Sequence, residues 1–194
     1  YQYNWSTGRG LTNLRNKRRS LMVSNSWNMD QQIVRSGIFL RNGWTFKNLN
    51  EIRTELDYFP ARWEDRNSFG NGAYKMHDRW VAEIALGTDT SQKISYSALV
   101  GVRQEELSDW TVRSSLGVTY APSDRFSFDL DLNYFQRDGW LLHDQERLMA
   151  TYSAGDFQPR LAMDVFFSSK QQLRLSLQWA AIRAEEQDFY LIPE

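Results

Sequence analysis

The chain has 194 residues, 23 basic and 24 acidic side chains, and a net charge of −1. That length suits one β-domain, and the balanced charge gives neither a basic footprint for nucleic acid nor an acidic tail. Cysteine is absent, which excludes disulfide frameworks and thiolate metal sites and suits many compartments, the bacterial periplasm and outer membrane among them.

The opening residues 1–5 read as the end of a strand and not as a signal peptide, so the chain is taken as a piece excised from a larger protein. Segment 6–18 is long where a short turn is expected. A strand at 19–29 then points Leu21, Val23, Trp27 and Met29 one way, and one at 33–46 does the same with Ile38, Leu40, Trp44 and Phe46. After a short link at 47–50, the stretch 51–59 sets Ile52, Thr54, Leu56 and Tyr58 against Arg53, Glu55 and Asp57. A long link at 60–78 leads to a strand at 79–88 carrying Trp80, Ala82, Ile84 and Leu86. Beyond 89–92, a strand at 93–103 carries Ile94, Tyr96, Ala98, Val100 and Val102. A middling link at 104–109 precedes the clearest strand, 110–120. The turn 121–124, with Pro122 suited to its first corner, leads into 125–136. There Phe126, Phe128, Leu130, Leu132 and Tyr134 oppose Ser127, Asp129, Asp131 and Asn133. A long link is expected at 137–146. Residues 147–167 read as one strand with a bulge at 153–156, near Pro159, although two short strands joined by a turn fit the same residues. After 168–170, a strand at 171–183 sets Leu173, Leu175, Leu177 and Trp179 against Gln172, Arg174, Ser176 and Gln178.

Period-two alternation gives each strand one apolar and one wet face. In 110–120, Trp110 and Tyr120 bracket Val112, Leu116 and Val118. About ten residues at ~3.3 Å each, tilted by ~40°, project to roughly 25 Å, the height of the lipid-facing band of an outer-membrane barrel. Strands of this length exceed the globular mode. Aromatics gather at strand ends (Trp44, Tyr58, Trp80, Trp110, Tyr120, Tyr134, Trp179), as in an interfacial girdle. The polar faces carry both signs of charge: Arg53, Glu55, Asp57, Glu83, Arg113, Asp129, Asp131 and Arg174, as in a lumen crossed by ion pairs. The expected fold is therefore all-β: a single antiparallel up-and-down transmembrane β-barrel, or part of one, spanning 1–194 with about 8–10 strands and with short turns and long loops on opposite sides. No run of apolar residues is long enough for a transmembrane helix. A negative mean hydropathy does not oppose a barrel, whose lipid-facing and lumen-facing residues alternate.

Three segments carry a family resemblance: 121–134 (APSDRFSFDLDLNY), Gly139-Trp140-Leu141, and 171–184 (QQLRLSLQWAAIRA). Together with the stretch from Trp44 through Tyr58-Phe59-Pro60 to Arg79-Trp80, they resemble uncharacterised bacterial outer-membrane β-barrel domains found C-terminal to a family-9-type carbohydrate-binding domain. The resemblance covers most of the chain from about residue 33. It implies a larger parent barrel of which this is a C-terminal part, with the carbohydrate-binding-like domain lying elsewhere. It brings no catalytic residue. After Ala184 the sequence does not alternate, so no closing strand is expected there.

The remaining motifs point to no chemistry. His77 and His143 are the only histidines and fall in expected loops, too few for a zinc or facial-triad site, so neither metal nor cofactor is expected. His143 beside Asp138 or Asp144 admits a barrel-embedded hydrolase, but there is no nucleophile elbow, and the chain is read as not an enzyme. Asp129-Leu-Asp-Leu-Asn133 alternates as a strand and lacks the glycine and closing glutamate of a calcium loop. Gly70-Asn-Gly72 and Gly8-Arg-Gly10 are turn glycines. Arg15-Asn-Lys-Arg-Arg19 is either a solvated loop or a contact for lipid phosphates. Trp63, Phe69, Tyr74 and Trp140 offer loop aromatics either for packing over the mouth or for stacking on sugars. The function read from this is passage or anchoring in the bacterial outer membrane, with membrane lipid as partner, no nucleic acid, and carbohydrate handled through the loops or the absent domain. A soluble β-barrel or sandwich binding carbohydrate is the alternative, since alternation alone does not say which face turns inward.

Overall fold

The computed structural model describes residues 1–7 and 13–192. The expected glycine turn at 8–10 lies outside them. Among the described residues thirteen strands form: β1 (Gln2–Thr7), β2 (Leu14–Trp27), β3 (Ile33–Phe46), β4 (Glu51–Phe59), β5 (Arg62–Glu64), β6 (Tyr74–Met76), β7 (Arg79–Gly87), β8 (Ile94–Gln104), β9 (Trp110–Ser123), β10 (Phe126–Gln145), β11 (Leu148–Ser168), β12 (Gln171–Gln178) and β13 (Ala181–Leu191). There is no helix among the described residues. β5 and β6 pair only with each other, and the remaining eleven form one antiparallel sheet in chain order. Among the described residues this sheet is not closed: β1 is one edge, and β12 with β13 is the other.

β12 and β13 lie end to end along β11, with the same register on both sides of the gap: Arg160 faces Gln178 and Phe157 faces Ala181. The gap falls opposite Pro159. Trp179 donates its amide to the Pro159 carbonyl at 3.3 Å, but proline has no N–H to return. One long strand is thus interrupted where its partner lacks a donor. It continues to Leu191, so the expectation of no strand beyond Ala184 is corrected: β11 supplies a template that outweighs the weak alternation.

The 137–146 region is also corrected. It is strand, and only Glu146 and Arg147 link β10 to β11. The long-loop side therefore has a single long connection, 60–78, which folds back as the β5–β6 hairpin. The reading of 147–167 as one strand agrees with β11, but the nearest irregularity belongs to β10. The register slips between Arg137 and Trp140, opposite 152–154, so Asp138-Gly139 holds the extra residue. Gly139 adopts φ +65° there, and a Cβ would come within 2.7 Å of Asp109 Cβ. At the other end of the sheet, β2 begins at Leu14, earlier than expected, and ends at Trp27. Met29 sits in a turn where the Asn28 side chain accepts the amides of Asp30 and Gln32 at 3.1 and 2.9 Å.

The pairing is strongly staggered. The row through Glu51, the first residue of β4, runs by Gly87, Ser97, Gly117 and Asp131 to Arg160. Arg160 lies eight residues (160 to 168) from the end of β11. Such shear tilts strands against the axis about which a sheet curls, as in barrel walls. One cavity of about 520 Å³ accordingly touches both Asn4 on β1 and Leu99 on β8.

Candidate functional site

Polarity across this sheet is reversed from that of a globular core. On one face stand Ile84 and Leu86, Val100 and Val102, Val112 and Leu116, and Leu173, Leu175 and Leu177, all exposed. Leu116 is 60% and Val100 54% exposed, whereas on the other face Asp57 is 4% and Thr111 2% exposed. A soluble monomer rarely leaves an apolar patch larger than a few hundred Å² in water.

The paired rows put the eight charged residues singled out in the sequence on the polar face. Arg53, Glu55 and Asp57 alternate along β4, opposite Ala85, Glu83 and Val81. Glu83 is opposite Gly101, which is opposite Arg113. Asp129 and Asp131 face Thr119 and Gly117, and Arg174 faces Asp164. One continuous ladder crosses the sheet. Arg41 donates to Glu55 at 2.9 Å, and the Glu83 carboxylate lies 3.5 Å from Arg113. The Arg113 guanidinium sits 5.4 Å from the Phe135 ring centre, and that of Arg137 5.2 Å from the same ring. Arg137 in turn pairs with Asp156 at 3.8 Å. Gly101 makes the central step: a Cβ there would lie 2.7 Å from Glu83 Cγ, so its absence lets Glu83 lie across β8 to reach β9. Elsewhere on this face, Thr119 donates to Asp129 at 2.6 Å and Arg174 to Asp164 at 2.7 Å.

Sequence reading missed Arg41, Arg137, Asp156 and Asp164 as members of this network. Arg41 was legible as the residue alternating with Leu40 and Asn42 on a strand already drawn. Arg137 falls in 137–146, where the sequence pattern shows no strand, although β10 runs through it.

The aromatics mark the ends of apolar runs more faithfully than the ends of strands. Trp44 faces Ile52 near the short turns, Tyr58 stacks on Trp80 at 4.6 Å, and Trp110 opens β9. Tyr120 meets Phe126 edge-on at 6.3 Å. Tyr134, expected at a strand end, lies inside β10. It closes the run Phe128, Leu130, Leu132, beside Phe157 of β11. Trp179 closes Leu173, Leu175, Leu177 in the same way.

Beyond those rings a conventional core forms. Leu141, Met149 and Ile192 are buried together, with Tyr74 and Leu107 packed against them. The 60–78 connection docks here, where Asn71 Nδ2 and the Phe69 ring approach His143 at 3.4 and 5.2 Å. Arg79 donates to Glu106 at 3.1 Å. Burial first, then Arg79, lowers the pKa of Arg62, against the opposing pull of Glu64 at 3.7 Å. Burial, with the Glu106 and Glu64 carboxylates, pushes the Tyr74 hydroxyl up to about 12.

Among the described residues no ring contact joins the four aromatics considered for sugar contact, although Trp63 and Tyr74 share the β5–β6 hairpin. Phe69 is exposed at a loop tip, Tyr74 is packed in the cap, Trp63 is half-buried in β5, and Trp140 is in a strand, 4.7 Å from the Arg137 guanidinium. His143, also in β10 and not in a loop, lies 2.7 Å from the Glu146 carbonyl through Nε2. His77 is exposed beyond β6. Among the described residues no three His, Asp or Glu side chains are grouped to hold a metal. The basic cluster splits across the sheet: Lys17 and Arg19 share the apolar face with Trp44 and Trp5, Arg19 lying 5.9 Å from the Trp5 ring centre, while Arg18 faces the polar side.

No protein-family model, curated protein or solved structure matches this chain. The likeness to outer-membrane barrel domains therefore stands on the strand-and-turn motifs alone.

Proposed function

We propose that this chain is wall of a bacterial outer-membrane β-barrel. Its apolar face meets lipid, and its charged face lines a lumen for the passage of small polar solutes. The observation that carries the reading is the reversed polarity. The outward Leu, Ile and Val residues keep about half of their surface exposed, so each gains roughly 1 kcal/mol when that surface leaves water, and no described element of the chain covers that face. A bilayer supplies the missing cover, and the Trp and Tyr side chains that end the apolar runs fit its interfaces. The mixed-sign ladder suits a weakly selective path better than a single-sign filter.

The test is to refold the chain with and without detergent micelles and follow circular dichroism and size exclusion. A β spectrum with one species only in micelles is the expected outcome. A compact, monodisperse β-protein in plain buffer would refute the membrane reading.

A further inference from the structure

The cavity between β1 and β8 on the polar face leaves two of its lining cations over. Of the charged side chains lining the 520 Å³ cavity at β1–β8, Glu55 is matched by Arg41 and Glu83 by Arg113. Arg18 and Arg53 line the same cavity. Among the described residues neither has an ion pair or side-chain hydrogen bond. They are not scattered. Both are paired to Gly43, from opposite sides, in one row across β2, β3 and β4. Two ladder spacings put their backbones roughly 10 Å apart. Gly43 leaves the space between them open, the nearest atom to a Cβ there being Arg53 Cγ at 4.0 Å. Asn4 and Ser20 add an amide and a hydroxyl to the same cavity wall.

We propose that this notch binds a phosphate-type oxyanion, free or carried as a phosphate ester on a small solute, bridged by Arg18 and Arg53. Two planar guanidiniums present forked donors that match the geometry of phosphate oxygens. Glycine between them provides the room, and the two acids lining the cavity, Glu55 and Glu83, are already paired to Arg41 and Arg113. As a station along a transport path the site rests on the barrel reading; as a binding site it rests only on the row Arg18–Gly43–Arg53.

The experiment is calorimetric titration of the refolded full chain with inorganic phosphate and, separately, with glucose 6-phosphate. Each is repeated on Arg18→Gln, Arg53→Gln and the off-site control Arg66→Gln. Saturable binding by either ligand is expected, weakened about tenfold or more by each on-site substitution, as loss of a charge-assisted hydrogen bond implies. It is expected to weaken with added sodium chloride and to be unchanged in Arg66→Gln. Which ligand saturates tells free from esterified phosphate. Absence of saturation by both in protein with a native β spectrum would overturn the site, as would an equal loss in Arg66→Gln. Failure of the barrel reading shows itself separately, as folding in plain buffer, where the same titrations are run.

Discussion

Leu116→Arg separates a lipid-facing wall from a solvent-facing one by the sign and size of a single number. Leu116 lies six residues from Trp110 and four from Tyr120, near the middle of the apolar run on β9, and is 60% exposed. If that face meets water, replacing an exposed leucine by arginine removes no packing, and the change stays within about 0.5 kcal/mol. If it meets hydrocarbon, an arginine near the midplane costs about 2–4 kcal/mol, or about 1.5 to 3 decades in the folding equilibrium. Val118→Arg, two residues from Tyr120, should cost less, because the penalty falls toward the interface. The assay is guanidinium-dependent folding into lipid vesicles, followed by tryptophan emission, with slopes checked for equality so that midpoints report stability. Unshifted midpoints for Leu116→Arg, or equal shifts for both variants, would refute the placement of this face in lipid.

Gly101→Val should push Glu83 off its path to Arg113, since its Cβ would sit 2.7 Å from Glu83 Cγ. A loss of about 1–3 kcal/mol is expected from overpacking, and Glu83→Ala in the same background should recover part of it in the same folding assay. Gly139→Ala forces a side chain into φ +65° and against Asp109. A cost of about 1–3 kcal/mol is expected in the denaturant midpoint, and Asp109→Ala, which removes the carboxylate but keeps the Cβ 2.7 Å away, should recover only part of it. The cap should loosen in alkali. Tyr74 titrates at about 12 in the folded protein against 10.0 when unperturbed, so its contribution is intact below pH 10. Above that, the unfolded chain releases its proton first and stability falls as pH rises toward about 12. Tyr74→Phe should abolish that component of the pH dependence, measured as the change in folding midpoint across that window.

The strands with strict alternation were legible because register leaves them no freedom. A one-residue slip would turn Val112, Leu116 and Val118 onto the charged face, so β3, β4, β7, β8 and β9 fall close to where the pattern puts them. What misled was local chemistry overruled by partners. Residues 137–146 read as a long link, yet Gly139 sits in a bulge that lets β10 run on to Gln145 beside β11. Residues 185–191 carry no alternation, yet they pair along β11. The residues of the polar site were legible as a face but not as a network. Glu83 reaches Arg113 only because position 101, on the strand between them, has no side chain. That spatial condition is visible only once the register is known.

On the proposed reading the same sheet carries two solvation regimes, and the chain marks the border between them. On β10 the outward apolar run ends at Tyr134, the bulge follows at Asp138-Gly139, and Leu141 is already part of an ordinary buried cluster with Met149 and Ile192. On the neighbouring lane the outward leucines end at Trp179, where Pro159 breaks the ladder, and the exposed charges Arg183 and Glu185 follow, 2.7 Å apart. A bulge bends and re-aims a strand, which is what β10 needs to leave the wall and receive the β5–β6 hairpin. On the proposed reading, lipid supplies the cover below this line and the 60–78 connection supplies it above. That accounts for one feature of the fold: the 60–78 connection, the longest among the described residues, packs through Tyr74 on β10 and β11, the two longest strands.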